Sequence, residues 1–483
     1  MRAGSAIVAA GTDRRPWLLL ALVLAAFLVP VLAGIARGSA FGYDESIYAQ
    51  LSRALAGGPA AVGAGSYRPP GLAVLGLPAA LAAGSEWSFR LVGALGGAGL
   101  VAATWWLARM AGGRGAALVA AVAVAAAWPV QIESTTFLTD VPAAALVVGA
   151  AALTWRAVSG MDGRLGWVWL GVLAAAAFSL RFGSIIPLAG IAIAGLLVGN
   201  AAARRSIARA VGLCTVLLIP HAIHATTTTG TPWGIVSAAQ RATGDGAGVD
   251  ALLAYATLLP APLMGPLAGV LAILGIVAVA RAAVSPGSDA SIARFLGIAA
   301  IAPMVVLVAS SHAEPRYAIV PITLLATLGA TRIGGRLDAL AVARPALRAA
   351  VAGLALAVLL GGAVMTLIEI DRRVAVWDWT RDVALAIDAD AGGARCAILA
   401  SDAPIMAWYG RCAATTFGSP PSFDALDVSA EARGYIVLRA DDHHQPPATA
   451  IDALRDRVEP WRAFTDGIGM VAATVYRTRD DAP

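Results

Sequence analysis

The chain has 483 residues, 59% hydrophobic and 13% charged, with a mean hydropathy of +0.75. A soluble domain carries about 25% charged residues, so composition excludes an ordinary soluble enzyme and leaves a polytopic membrane protein. The formal net charge is only +5 and every basic residue is Arg; scattered over short loops, these arginines argue against nucleic acid as a partner.

In chain order, Arg14-Arg15 precede an apolar run from Pro16 to Ile35, long enough for ~30 Å of hydrocarbon. No small-residue cleavage site follows it and more spans do, so it reads as an uncleaved first helix. Further spans are predicted near 88–108, 115–131, 140–156, 165–180, 184–200, 207–223, 257–280, 294–310, 317–333 and 348–368, about eleven in all. Between the first two spans, Asp44 to Leu55 has Ile47, Leu51 and Leu55 on one face, the pattern of a short amphipathic helix. Pro70 to Ala83 is a second apolar segment, too short and too rich in Pro and Gly to span. Both are predicted to lie at the membrane interface. A second large loop, around His221 to Asp250, is rich in Thr, Gly and Asp.

After Ile370 the composition changes. Arg395–Ala400, Ala413–Phe417, Gly434–Arg439 and Met470–Arg477 read as strands and Ser401–Tyr409 as a short helix, predicting a small α/β domain of roughly 100 residues. The division is a transmembrane domain over 1–370 and an α/β domain over 371–483. Cys396 and Cys412 could pair if that domain lies outside the cytoplasm, or remain free thiols; Cys214 falls in an apolar span. His443-His444, beside Asp441-Asp442 and ahead of Pro446-Pro447, reads as a solvated turn rather than a metal site.

With the N-terminus inside, one set of loops carries Arg14-Arg15, Arg109/Arg114, Arg156/Arg164, Arg204-Arg205/Arg209, Arg281/Arg294 and Arg332/Arg336/Arg344/Arg348. The opposite set carries Asp44-Glu45, Glu133/Asp140, the 224–256 loop and His312/Glu314/Arg316. This is the positive-inside pattern, and an odd number of spans puts the C-terminal domain outside.

Three points on the outer side could carry chemistry. Asp44 and Glu45 are either helix N-terminal acids favoured by the macrodipole, with Asp44 as N-cap, or a general base and its partner. Asp140, before Val141-Pro142, is either a helix cap or a second acid on the same membrane face. His312-Ala313-Glu314-Pro315-Arg316-Tyr317 either anchors a helix at the interface or supplies Arg316 to a lipid phosphate, which a planar fork of donors suits. Arg90 and Arg181 also sit at outer helix ends, and Arg68 stands between Tyr67 and the Pro pair in the acidic first loop; these could serve the same anion.

Taken in order, Tyr43-Asp44-Glu45, Tyr67-Arg68-Pro69-Pro70, the run Phe89-Arg90-Leu91-Val92-Gly93-Ala94-Leu95-Gly96-Gly97, the Asp140 segment and the 312–317 loop resemble the GT-C superfamily. The likeness covers roughly residues 15–335 and is nearest the bacterial branch related to protein O-mannosyltransferases and lipid A aminoarabinose transferases. It implies an inverting glycosyltransferase of the inner (plasma) membrane, taking a sugar from a polyprenyl-phosphate donor at the outer face. The acceptor would be a lipid, glycan or protein. The resemblance makes Asp44 the catalytic base, with Glu45 and Asp140 beside it. A divalent cation, Mg or Mn, would be held by Asp44, Glu45 and Asp140. Arg68, Arg90, Arg181, His312, Glu314, Arg316 and Tyr317 would bind the donor phosphate, Arg taking the place of Lys. The rival reading from composition is a transporter or lipid flippase. Such proteins show repeated halves and charges near the midplane, whereas here there is no repeat and the charges gather at one face.

Overall fold

The structure is a computed structural model that describes residues 15–59, 68–82, 84–243, 248–258, 264–284, 290–310, 313–343, 345–416, 433–440 and 457–479. The helices are α1 (Arg15–Ala36), α2 (Tyr43–Leu55), α3 (Gly71–Leu81), α4 (Glu86–Ala125), α5 (Trp128–Ser134), α6 (Asp140–Val158), α7 (Gly166–Leu180), α8 (Ile185–Val198), α9 (Ala201–Leu217), α10 (Ile219–Thr229), α11 (Gly234–Thr243), α12 (Val249–Leu258), α13 (Pro266–Val284), α14 (Ala290–Ser310), α15 (Ile319–Ala343), α16 (Pro345–Trp377) and α17 (Trp379–Ala391). A small C-terminal sheet domain follows. The architecture is a multi-pass helical membrane protein with that domain at one end.

Seven described helical segments are long and apolar enough to cross a membrane, or eight if the bent pair α9–α10 is one span. The expected count of eleven is not confirmed. The spans expected at 88–108 and 115–131 are two helices within α4, on either side of Gly113, where the chain leaves helical geometry with φ +84°. The spans expected at 165–180 and 184–200 are the apolar helices α7 and α8, of 15 and 14 residues, short of the ~20 residues a full crossing takes.

The core of the bundle is built mainly from Ala, Val and Leu where α4, α6, α13, α14 and α15 meet. Lipid tails are as apolar as Leu, so packing rather than water exclusion holds such helices together, and small residues let the backbones approach. A Cβ at Gly275 of α13 would run into the Leu325 carbonyl oxygen of α15, and one at Gly329 of α15 into that of Leu271. The run Gly93–Gly97 on α4 works in the same way: a Cβ at Gly93 would strike Thr136 O, and one at Gly97 the Ser134 hydroxyl and the Phe27 ring. These glycines draw the segment 134–140 onto α4, directly behind α2.

Five strands form one sheet in the order β2-β1-β3-β5-β4: β1 (Cys396–Ala400), β2 (Ala413–Thr415), β3 (Arg433–Arg439), β4 (Val458–Thr465) and β5 (Val471–Thr478). β1 runs parallel to β2 and β3, while β5 is antiparallel to both β3 and β4. Trp379, Val383 and Ile387 of α17, with Met406 of α18 (Ala403–Tyr409), pack on Ile398, Tyr435, Val437 and Val475. Four strands were legible in the sequence. β4 was missed because it pairs only with β5 and its Val-Glu-Pro-Trp-Arg-Ala-Phe-Thr run breaks the apolar alternation with Glu, Pro and Arg, as edge strands do. Cys396 and Cys412 form a disulfide.

The two helices expected in the first loop are α2 and α3. α2 is covered more widely than its amphipathic pattern implies: Ile47 is buried, but so are Gln50 and Ser52, while Leu55 is exposed. The extra cover comes from two sides: Gln50 meets Pro404 of α18, far downstream in the chain, and Ser52 lies against Gly76 of α3.

Candidate active site

The first turn of α2 carries two adjacent carboxylates with different fates. Gly42, not Asp44, is the N-cap. Glu45 turns inward and is 5% exposed. It accepts hydrogen bonds from the amides of Gly42 (3.0 Å) and Phe137 (2.8 Å) and from Arg90 at 3.1 and 3.3 Å. Arg90, 2% exposed, also donates to the carbonyls of Ser39 (2.8 Å) and Ala40 (3.1 Å). A buried charge pair is tolerable only when its remaining donors and acceptors are met, and here these bonds meet them. Glu45 and Arg90 tie the first loop to α4 and to the 134–140 segment. Asp44, one residue earlier, is on the open side, with Oδ1 2.7 Å from Arg68 Nη2.

Asp140 opens α6, but the N-cap is Thr139. The Asp140 carboxylate instead pairs with Arg181, at the break between α7 and α8, and lies 3.9 Å from Arg316 Nη1. Arg316 pairs closely with Glu314. Both guanidinium groups approach the Tyr317 ring, Arg181 at 4.5 Å and Arg316 at 5.7 Å from its centroid, a geometry in which the ring face favours cations. The turn Pro315–Ala318 that bears Arg316 and Tyr317 enters α15, and Tyr255 of α12 donates to the Glu314 carbonyl at 3.3 Å.

These groups surround a cavity of about 260 Å³ lined by Asp44, Tyr48, Arg68, Asp140, Arg181, Arg316 and Tyr317, with apolar walls from Ile185, Ile186, Val236 and Leu307. Three guanidinium groups stand there, each paired with a carboxylate (Arg68 with Asp44, Arg181 with Asp140 and Arg316 with Glu314), next to an apolar flank. A second cavity, of about 830 Å³, opens between the bundle and the sheet domain. Its walls include Tyr43, Asp44, Arg316, Arg373, Trp377, Asp402 and Arg439. Asp44, Leu138 and Arg316 line both cavities, so the Asp44 carboxylate stands between them.

Of the residues named from sequence, Asp44, Arg68, Asp140, Arg181, Arg316 and Tyr317 meet at the first cavity. Glu45 reaches the edge of the second, Arg90 lines neither, and Glu314 acts through Arg316. His312, Tyr67 and the His443-His444 turn lie outside the described residues. Among the described residues no group of three or more His, Cys, Asp or Glu side chains is arranged to hold a metal ion. Asp44, Glu45 and Asp140 are each engaged by a different arginine, a donor set that does not fit a shared cation. Sequence reading missed Tyr48, four residues after Asp44 and therefore on the same helix face. Burial pushes its phenol up to about 12. It also missed Arg373, Trp377, Asp402 and Arg439, which no local pattern marks.

Comparison with known proteins bears on the fold. Residues 68–226 match the family model for dolichyl-phosphate-mannose-protein mannosyltransferase. No curated protein matches the chain. Among solved structures, ArnT from Cupriavidus metallidurans bound to undecaprenyl phosphate superposes with a TM-score of 0.66 at 17% identity, covering 97% of this chain and 99% of that one. The Archaeoglobus fulgidus oligosaccharyltransferase tethered with an acceptor peptide superposes with a TM-score of 0.58 at 14% identity, covering 88% and 69%. The archaeal oligosaccharyltransferase AglB from the same organism, in complex with an inhibitory peptide and a dolichol-phosphate, gives 0.56 at 14%, covering 88% and 70%. The chain has the fold of ArnT and of the oligosaccharyltransferase, and its residues 68–226 resemble the dolichyl-phosphate-mannose-protein mannosyltransferase family.

Proposed function

We propose that the protein is a glycosyltransferase that moves a sugar from a polyprenyl-phosphate donor to an acceptor hydroxyl at the outer face of the membrane, with inversion at the anomeric carbon. The observation that carries this reading is Asp44 on the wall shared by an arginine-lined cavity and a larger one. The donor phosphate takes the first cavity, against Arg68, Arg181 and Arg316. Its polyprenyl chain lies along the apolar flank of Ile185, Ile186 and Val236. The acceptor takes the second cavity. ArnT is bound to undecaprenyl phosphate and AglB is in complex with a dolichol-phosphate, lipid phosphates of the class this reading assigns to the donor.

In the reaction the acceptor oxygen attacks the anomeric carbon from the Asp44 side, and the acceptor proton passes to Asp44. The bond from the anomeric carbon to the phosphate oxygen breaks and its electron pair leaves with the polyprenyl phosphate. The growing negative charge meets fixed guanidinium groups in a site that needs little reorganisation. Arg68 holds Asp44 from one side and so fixes the direction of the other oxygen. Attack and departure from opposite cavities give inversion. Glu45 and Arg90 serve the scaffold rather than the chemistry. No step is routed through a metal ion.

The outer face is supported by the positive-inside distribution of Arg and by the Cys396–Cys412 disulfide, since such bonds persist in oxidising compartments. The test is to reconstitute the purified protein in liposomes with radiolabelled polyprenyl-phosphate sugars and candidate acceptors. Release of polyprenyl phosphate with transfer or hydrolysis of the sugar is the expected result. Movement of intact donor between leaflets without bond cleavage would instead make the protein a flippase.

A further inference from the structure

The helix that bears Asp44 is held from above by a disulfide-closed loop of the sheet domain. α18 lies inside the loop that the Cys396–Cys412 bond closes, with a sequence separation of 16 residues. One side of α18 and its ends meet α2 and the chain leading into it. The Phe41 amide donates to Tyr409 Oη at 2.7 Å, and Gln50 Nε2 donates to the Pro404 carbonyl at 2.8 Å. The Arg53 guanidinium lies 3.4 Å from the Trp408 ring centroid. The Trp408 ring is 5.0 Å from that of Phe41 and 5.8 Å from that of Phe89. The polar contacts are not incidental: Gln50 is 8% exposed and Trp408 9%, so neither group has water as an alternative partner. Tyr409 sits next to Glu86 and Arg90, and burial together with Glu86 holds its phenol well above the usual range.

These contacts bracket Asp44 along the chain, with Phe41 before it and Gln50 and Arg53 after it. Arg90 and Glu45 fix the same loop from beneath. The loop therefore has two independent supports, one from the membrane bundle and one from the sheet domain.

We infer that α18 is a strut that positions Asp44 for catalysis, with Tyr409, Trp408 and the Pro404 carbonyl as its contact points and the Cys396–Cys412 bond holding it in place. The inference rests on the glycosyltransferase reading for its catalytic consequence, though not for its structural one. These are positioning residues, since none of them lines the cavity in which the donor phosphate is proposed to sit.

The experiment uses the full-length protein in three forms: wild type, Tyr409→Phe, and Cys396→Ser combined with Cys412→Ser. Replacement is used rather than reductant because Cys412 is buried. Hydrogen exchange is read over residues 43–55 and over the bundle core, alongside kcat, donor KM and donor-lipid binding. In both variants exchange over 43–55 rises about tenfold or more while the bundle core is unchanged. The same variants lose about tenfold or more in kcat, because a small misplacement of a reacting group is costly, while donor binding shifts by less than about twofold. Tyr409→Phe serves where the double cysteine variant fails to fold. Unchanged exchange over 43–55 in a folded variant overturns the strut, and so does a loosened loop with kcat unchanged. If the wild type transfers no sugar at all, the enzyme reading fails, and the exchange measurement alone decides whether α18 holds the loop.

Discussion

Asp44 and Glu45 are neighbours in sequence and opposites in structure. Position on α2 decides this: one points to the cavity and the other back into the bundle, where four donors converge on it. Sequence alone ranked both as catalytic candidates, because adjacent acids outside a membrane helix look alike until the partner of each is known. The partner of Glu45 is 45 residues away on α4, and nothing local to either residue announces the pair. Removing one member leaves the other buried and unpaired, so Glu45→Ala and Arg90→Ala are each expected to cost about 3–5 kcal/mol of stability. Thermal unfolding in detergent measures this. The double variant should lose less than the sum, since residues in contact are not additive. Asp44→Ala, at a partly exposed pair, should change unfolding far less.

At the scale of elements, the glycines of the run 89–97 were visible in the sequence as a motif, but their reason is a contact. Gly93 and Gly97 let the 134–140 segment lie against α4. That contact brings the Phe137 amide to Glu45 and starts α6 where Asp140 can reach Arg181. Gly93→Leu is expected to destabilise by about 1–3 kcal/mol through overpacking and to weaken donor binding. Calorimetric unfolding and a donor-lipid binding titration check the two effects, and Gly353, with nothing near it, serves as the control position. Hydropathy located the long helices well, because ~20 apolar residues are a strong signal. Its count of eleven is not confirmed: α7 and α8 are shorter than a full crossing, whereas the two spans expected in α4 are separate helices on either side of Gly113. It could not see that α18 would cover α2, which is a tertiary fact.

For the whole molecule, four connections far apart in the chain bring Asp44, Asp140, Arg181 and Arg316 to one end of the bundle. Their charge made them legible in sequence. The second cavity was not legible, since it exists only where the sheet domain meets α16. There Arg439 lies 3.0 Å from Asp402 and 5.1 Å from the Trp377 ring centroid, an ordered set of polar and aromatic groups of the kind that fixes a ligand's orientation. Arg439→Ala and Trp377→Ala are expected to raise the acceptor KM by about tenfold while hydrolysis of the donor in the absence of acceptor stays as in the wild type. Steady-state kinetics at fixed donor separates the two, and an equal loss in both would place these residues in the scaffold.

The central claim is that Asp44 takes the acceptor proton, and the most direct measurement compares wild type with Asp44→Asn for both donor binding and sugar transfer. The account predicts that the variant binds polyprenyl phosphate with near-normal affinity and loses about 10²–10⁴-fold in kcat. Transfer at the wild-type rate by a variant that still binds donor would contradict it and move the base elsewhere along the same cavity wall.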